Sequence, residues 1–458
     1  MELLWVLSRR RRIVLAMAGF LLLAFLLGAP LQSAGADIFP YGIHKDVFEN
    51  GLTVIIVPYD SPGVVAYYTV VRTGSRNEVE PGHSGFAHFF EHMMFRGTEK
   101  YSEQKYNDLL KSIGADTNAS TSDDVTTYYI NASSSALETI MDLESDRFQN
   151  LKYTEAAFRT EAGSIMGEYN KNYSVPFQSI FEKLRDTAFA EHTYKHTTMG
   201  FLADIKDMPN KYEYSLKFFD RWYRPENCGL IIVGDVKPEA TLAMAKKYYS
   251  PWRRGSYKWE ASHEPEQTAP RSAHIDWKNR TLPYVVLAYH VPAFSDKGLD
   301  GPALDMLSQL MFSETSALYQ KLVIEKQEVD QLGGGWAKRR DPYLFTISTR
   351  VKNPENVANV RKEIESALEA AQHQPFNEEQ LARVRSFLKY SYVMGLNTPS
   401  RIASQLALYV QLAGDPQAVN RYYTLYDQVT PEKLEEVAKK YFRPENQTVV
   451  TLSYGGAK

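Results

Sequence analysis

Two histidines and a glutamate fall within five residues at His88-Phe89-Phe90-Glu91-His92. On a helix, positions i and i+4 share a face, so His88 and His92 can present two imidazoles to one cation. Glu91 can reach the same side. Two nitrogen donors suit Zn²⁺, and a carboxylate beside them can serve as general base toward a water that the cation activates. The competing reading is two packed histidines and a solvated glutamate. The apolar neighbours Phe86, Phe89, Phe90, Met93 and Met94 weigh against it, because ionisable groups on so buried a helix need partners. Ser84 is expected to cap this helix and Gly97 to end it.

H-x-x-E-H is itself a zinc-site signature, but two histidines leave a protein ligand missing. Downstream, Glu161 and Glu168 stand seven apart, two turns along one helix face. Glu168 could ligate the cation while Glu161 orients a ligand imidazole or the local geometry from behind. Taken alone, such a pair usually marks a solvated face. His192 and His196 also sit at i, i+4, but in a Thr-rich stretch with no third ligand, so they read as a structural loop. His83 reads as a loop or capping residue. Cys228, the single cysteine, reads as a small buried side chain and excludes an intrachain disulfide framework.

The elements that must hold these groups form a unit written twice. Tyr223-Arg224-Pro225-Glu226-Asn227 recurs as Phe442-Arg443-Pro444-Glu445-Asn446, 219 residues later. Each copy follows an amphipathic stretch and precedes a β-rich run. Strand-like runs open both halves, at 52–57 and 64–71 and again at 284–289, and helical patterns follow. Strands and helices mix without regular βαβ alternation, which favours an α+β fold. Residues 37–250 and 281–458 are read as two homologous α+β domains. The Pro-, Ser-, Glu- and Arg-rich residues 251–280 are read as a linker.

The 458 residues are 44% hydrophobic and 23% charged, which is ordinary globular chemistry. Residues 1–36 hold four arginines and one glutamate, so of the net charge of −3 the remainder carries −6. A mildly acidic body offers no footprint for nucleic acid. Arg9 to Arg12, the apolar run from Ile13 to Leu27 and the small residues Ala34, Gly35 and Ala36 describe an export signal, with cleavage expected after Ala36. The alternative is an uncleaved anchor, which would be the chain's one link to a membrane. Either way the body is expected outside the cytoplasm, in the periplasm.

H-x-x-E-H followed 76 residues later by Glu168 resembles the pitrilysin/insulinase family of zinc peptidases, M16, and its mitochondrial-processing-peptidase-like M16B branch. Asn50-Gly51-Leu52, Met94-Phe95-Arg96-Gly97-Thr98, Asn118-Ala119-Ser120-Thr121 and Arg224-Pro225-Glu226-Asn227 with Gly234-Asp235 extend the likeness over nearly everything from Asp37 onward. The resemblance implies two domains, each a mostly antiparallel sheet flanked by helices. It implies one zinc per chain on His88, His92 and Glu168, with Glu91 as base and Glu161 behind a ligand. Asn118, Ala119, Ser120 and Thr121 would form the edge strand that pairs with substrate, mainly through main-chain hydrogen bonds. The implied activity is endopeptidase action on peptides or unfolded segments. The alternative is a non-catalytic assembly subunit like the core proteins of respiratory complexes, which typically lose the motif kept here.

The second half departs from that pattern. Aligning Phe95 with Phe312 sets Asp305 against His88, Ser308 against Glu91 and Gln309 against His92, so this domain is expected to be metal-free. Active members carry an Arg and a Tyr seven residues apart that hold substrate; Val323 and Asp330 stand there instead. Arg339, Arg340 and Tyr343 lie nearby, with no spacing that argues for replacement. The expected assembly is a dimer, and the missing pair suggests a paralogous subunit without the zinc motif as the partner that supplies it.

Overall fold

Runs of β-branched and aromatic residues build two sheets in the computed structural model, which describes residues 37–374 and 376–455. The export segment expected at 1–36 lies outside them. Residues 37–40 fall outside the main body, and the described residues from Tyr41 onward form one compact unit. Among the described residues, no helix is long and apolar enough to cross a membrane.

In the first sheet, β1 (His44–Val47), β2 (Thr53–Pro58), β3 (Val64–Val71), β4 (Asp116–Thr121), β5 (Thr126–Ser133) and β6 (Cys228–Gly234) lie in the order β1-β2-β6-β3-β5-β4. β7 (Arg271–Trp277), β8 (Tyr284–Val291), β9 (Val329–Trp336), β10 (Tyr343–Val351) and β11 (Gln447–Tyr454) form the second, in the order β7-β11-β8-β10-β9. Without β1, the two orders are the same path through space. β2 and β6 are parallel, as are β7 and β11, and every other neighbour is antiparallel. The repeat seen in the sequence is thus a repeat of topology.

Five helices matter for the site and its surroundings: α1 (Phe86–Met93), α2 (Glu155–Asn172), α3 (Pro176–Ala188), α4 (Asp300–Phe312) and α5 (Pro399–Ala413). α3 belongs by sequence to the first half yet packs on β7, β8 and β11. Its Ile180, Leu184 and Ala188 share a core with Tyr284, Val286, Ala288, Val450 and Leu452. Reciprocally, α5 lies across β3 and β6 of the first sheet. There Tyr68 Oη meets Ser400 Oγ at 2.8 Å, and side-chain-free Gly229 lets Val410 approach. This exchange explains why β6 is buried along its whole length and reads as an unbroken apolar run: both of its faces are covered. Each exchanged aliphatic side chain buried this way contributes about 1.5–3 kcal/mol.

The linker reading needs correcting at its end. Arg271–Trp277 is β7, an edge strand paired in parallel with β11 from Thr448↔Arg271 to Tyr454↔Trp277. It is half-buried except at Ser272 and Asp276, and with Arg271 these polar residues give it a composition that resembles a loop. The sequence boundaries 37–250 and 281–458 also miss the helix exchange, which puts part of each half on the other's sheet.

Candidate metal and active site

α1 turns Phe86, Phe89, Phe90 and Met93 into the first core and leaves His88, Glu91 and His92 toward α2 and β4. Gly85 precedes it with φ +90°, where a Cβ would lie 2.5 Å from Ile205 Cδ1 and 2.8 Å from Met199 O. Only glycine fits so close an approach in the left-handed region. Ser84 does not cap the helix: its hydroxyl donates to Asp204 Oδ2 at 2.5 Å and accepts from Phe201 N at 2.8 Å. The cap comes from Glu78, whose carboxylate accepts from Gly85 N at 2.7 Å and Ala87 N at 2.6 Å. Burial pushes the Glu78 carboxyl up to about 8 against the pull of those amides. Gly97 does not terminate the helix directly. α1 ends at Met93, and Gly97 follows at φ +93° in an isolated bridge to Ser102.

His88, His92 and Glu168 each offer one donor atom, and the three lie within 4.8 Å of one another. Glu168 Oε2 is 3.7 Å from His88 Nε2 and 3.6 Å from His92 Nε2. Zinc bonds of about 2.0–2.2 Å at tetrahedral angles separate donor atoms by about 3.4 Å, so the set fits that cation. Burial, then the neighbouring His92, pull the His88 pKa down to about 4, which leaves its ring neutral with a lone pair to give. His92 Nδ1 donates to Glu161 Oε1 at 2.8 Å, and that bond raises the His92 pKa. Glu161 is also gripped by Arg96. Burial, which would raise its pKa, is outweighed by His92 and Arg96, and the carboxylate is held charged. His88 has no such support, since its Nδ1 is buried without a hydrogen-bond partner among the described residues.

Glu91 is not one of the three donors. Thr121 Oγ1 donates to Glu91 Oε2 at 2.6 Å, while burial raises the Glu91 pKa. Thr121 closes β4, the outer strand of the first sheet, so among the described residues Asn118, Ala119, Ser120 and Thr121 have no strand beyond them, and Ala119 N donates to Asn118 Oδ1 at 2.9 Å on this edge beside the metal donors. A cleft of about 290 Å³ between them is lined by Glu91, His92, Phe95, Arg96, Glu103, Asn118 and Glu161.

Residues 54–201 match the family model for insulinase, peptidase family M16, and residues 211–388 match the model for the peptidase M16 inactive domain. The chain belongs to peptidase family M16. Zinc protease PqqE of Helicobacter pylori is 28% identical over 416 residues, 89% of this chain and 92% of that protein. Mitochondrial-processing peptidase subunit beta of Neurospora crassa is 28% identical over 239 residues, 52% of this chain and 48% of that one. The crystal structure of a protease from Helicobacter pylori superposes with a TM-score of 0.85 at 28% identity, covering 90% of this chain and 99% of that one.

Among its described residues, the second M16 domain carries no comparable donor set. Asp305 on α4 accepts from Trp336 Nε1, Lys338, Tyr422 and Tyr426, which makes it a satisfied structural carboxylate. Ser308 donates to Gly334 O at 2.5 Å. Asp330 is paired with Arg350, and Val323 offers no donor. Arg339 and Arg340 are engaged elsewhere: Arg339 Nε donates to Asp123 Oδ2 at 2.7 Å, and Arg340 N donates to Asp124 Oδ2 at 2.9 Å. Tyr343 stacks on Phe189. His192 contacts Asp341 at 3.0 Å, and His196 bonds to Thr197 O, so that pair is structural. His83 Nδ1 bonds to Pro81 O, and Cys228 is buried. Sequence reasoning missed Glu78 as the cap, Arg96 as the clamp on Glu161 and Thr121 as the partner of Glu91. Arg96 and Thr121 lie inside motifs already noted, but nothing local says what each touches.

Proposed function

We propose that this M16 chain is an exported zinc-dependent endopeptidase that hydrolyses peptides or unfolded segments. The observation that carries the reading is the convergence of His88, His92 and Glu168 within 4.8 Å, with Glu91 held beside them by Thr121. A Helicobacter pylori relative bearing the name zinc protease supports it. His88, His92 and Glu168 would hold one zinc, which when bound supplies Lewis-acid chemistry that acidifies water and polarises a peptide carbonyl.

The chain's own residues do the rest. Glu91, its proton affinity raised by burial, takes the proton of the attacking water and passes it to the leaving amine. Glu161 and Arg96 keep the His92 ring turned toward the other donors. The β4 edge aligns an extended segment through main-chain hydrogen bonds, which gives broad side-chain tolerance. Export to the periplasm rests on Arg9 to Arg12 and the apolar run after them. Val323 and Asp330 in place of the Arg/Tyr pair support a dimer whose paralogous subunit, lacking the zinc motif, completes the substrate clamp. The intact donor set favours this over a core-protein-like assembly role.

The test is metal analysis with peptide hydrolysis, with and without a co-encoded relative, for the wild type and Glu91→Gln. The variant is expected to keep zinc and lose turnover. Normal hydrolysis by Glu91→Gln would exclude Glu91 as the base. Equal rates with and without every relative would remove the partner.

A further inference from the structure

The turn from Ser122 to Val125 directly follows Thr121, and it is tied to the second half through buried charges. Asp123 is 3% exposed and Asp124 is 1% exposed. Arg339 Nε donates to Asp123 Oδ2 at 2.7 Å. Arg185 Nη2, on the exchanged helix α3, donates to Asp123 Oδ1 at 2.6 Å, and Ser75 Oγ adds a third bond at 3.2 Å. Asp124 accepts from Tyr194 Oη at 2.6 Å and from Arg340 N at 2.9 Å. The backbone is clamped as well, with Arg76 N donating to Asp123 O at 2.8 Å. Together the two guanidiniums hold Asp123 charged despite its burial. Buried ion pairs of this kind add little net stability, and here the bonds from Arg339, Arg185 and Ser75 hold the Asp123 carboxylate from three sides.

What that geometry fixes is the end of β4. Thr121 pairs with Thr126, the last rung of the hairpin, and Ser122 N donates to Val125 O at 2.8 Å across the turn. A shift of Asp123 therefore moves Thr121, the residue that holds Glu91 at 2.6 Å. We propose that Arg339, in the metal-free half, is a positioning residue for Glu91, acting through Asp123 and Thr121. This rests on the peptidase reading of the site. It also gives Arg339 a role other than substrate clamp, because its guanidinium is spent on Asp123.

The test uses the full chain with four variants: Arg339→Gln, Arg339→Lys, Thr121→Val, and Arg339→Gln combined with Thr121→Val. Arg185 and Ser75 still hold Asp123 in Arg339→Gln, so the fold is retained. In metal-free protein, Arg339→Gln is expected to speed hydrogen exchange of the Ser122 amide about tenfold while α1 keeps its protection. In zinc-loaded protein it lowers kcat about tenfold at unchanged KM and zinc content, and Arg339→Lys recovers most of the loss. Thr121→Val lowers kcat similarly, and the double variant is no slower than the slower single one, because both act on one path. Multiplicative losses, an effect on KM alone, unchanged hairpin exchange, or a fall in stability with kcat preserved would each overturn the proposal. Wild-type chain that holds zinc but cleaves no peptide defeats the peptidase reading instead; the exchange measurement then still decides whether Arg339 holds the hairpin.

Discussion

His92 Nδ1 lies 2.8 Å from Glu161 Oε1, and that bond fixes which way the ring faces. With Nδ1 donating, Nε2 is left as the lone-pair nitrogen and points at Glu168 from 3.6 Å. Arg96 grips the far oxygen of Glu161, so the carboxylate cannot swing away. A donor atom is thus aimed from two residues behind it.

Replacing Glu161 with Ala should therefore weaken zinc binding about 10- to 100-fold without removing any ligand. Chelator competition on Glu161→Ala and wild type measures this directly. Equal affinities would mean that α1 packing alone aims the ring.

Zinc should also stabilise the fold. A ligand that binds only the native state adds about 4 kcal/mol at a thousandfold excess over its Kd. Thermal unfolding of the metal-free chain should move upward when zinc is added, and Glu168→Ala should abolish most of that shift. A shift that survives in Glu168→Ala would place the ion elsewhere.

The metal helix was legible because its chemistry is local: two imidazoles stand four positions apart on one turn, and the flanking phenylalanines mark the buried face. Glu161 and Glu168 were legible as a spacing, with the family likeness choosing their roles. The cap was not, since Glu78 acts from seven and nine residues upstream while Ser84 offered the usual local signature. The apolar faces of α3 and α5 announce burial without saying which sheet they meet. β7 was hidden by its own polar edge. The roles of Arg339 and Arg340 were hidden because their acidic partner residues, Asp123 and Asp124, lie 216 residues away in sequence.

Glu78→Ala should destabilise the chain by about 2 kcal/mol or more, because the Gly85 and Ala87 amides are left buried without an acceptor. Denaturant midpoints check the value. Gln at the same position keeps one acceptor and should cost less. A loss below about 0.5 kcal/mol for Glu78→Ala would show that water replaces the carboxylate.

Acid sensitivity of the metal-free chain should trace in part to His196. The ring is buried, its Nδ1 is 2.9 Å from Thr197 O and its Nε2 has no hydrogen-bond partner among the described residues, with Glu78 Oε2 at 3.7 Å from Nδ1 and the Phe201 ring beside it. Burial pulls its pKa down to about 4, only partly opposed by the Thr197 carbonyl. Between pH 6.5 and 4 the unfolded chain binds a proton that the native ring refuses, so stability is full above 6.5 and falls as pH drops toward 4. A shift of that size corresponds to a loss on the order of 3 kcal/mol. His88 and His92 titrate in wild type and variant alike, so they cancel in the comparison. Chemical unfolding of metal-free wild type and His196→Gln at intervals across this range should show the variant with the shallower slope, by close to one proton. Parallel curves would mean that His196 takes up its proton equally in both states, and that other groups set the acid limit of this fold.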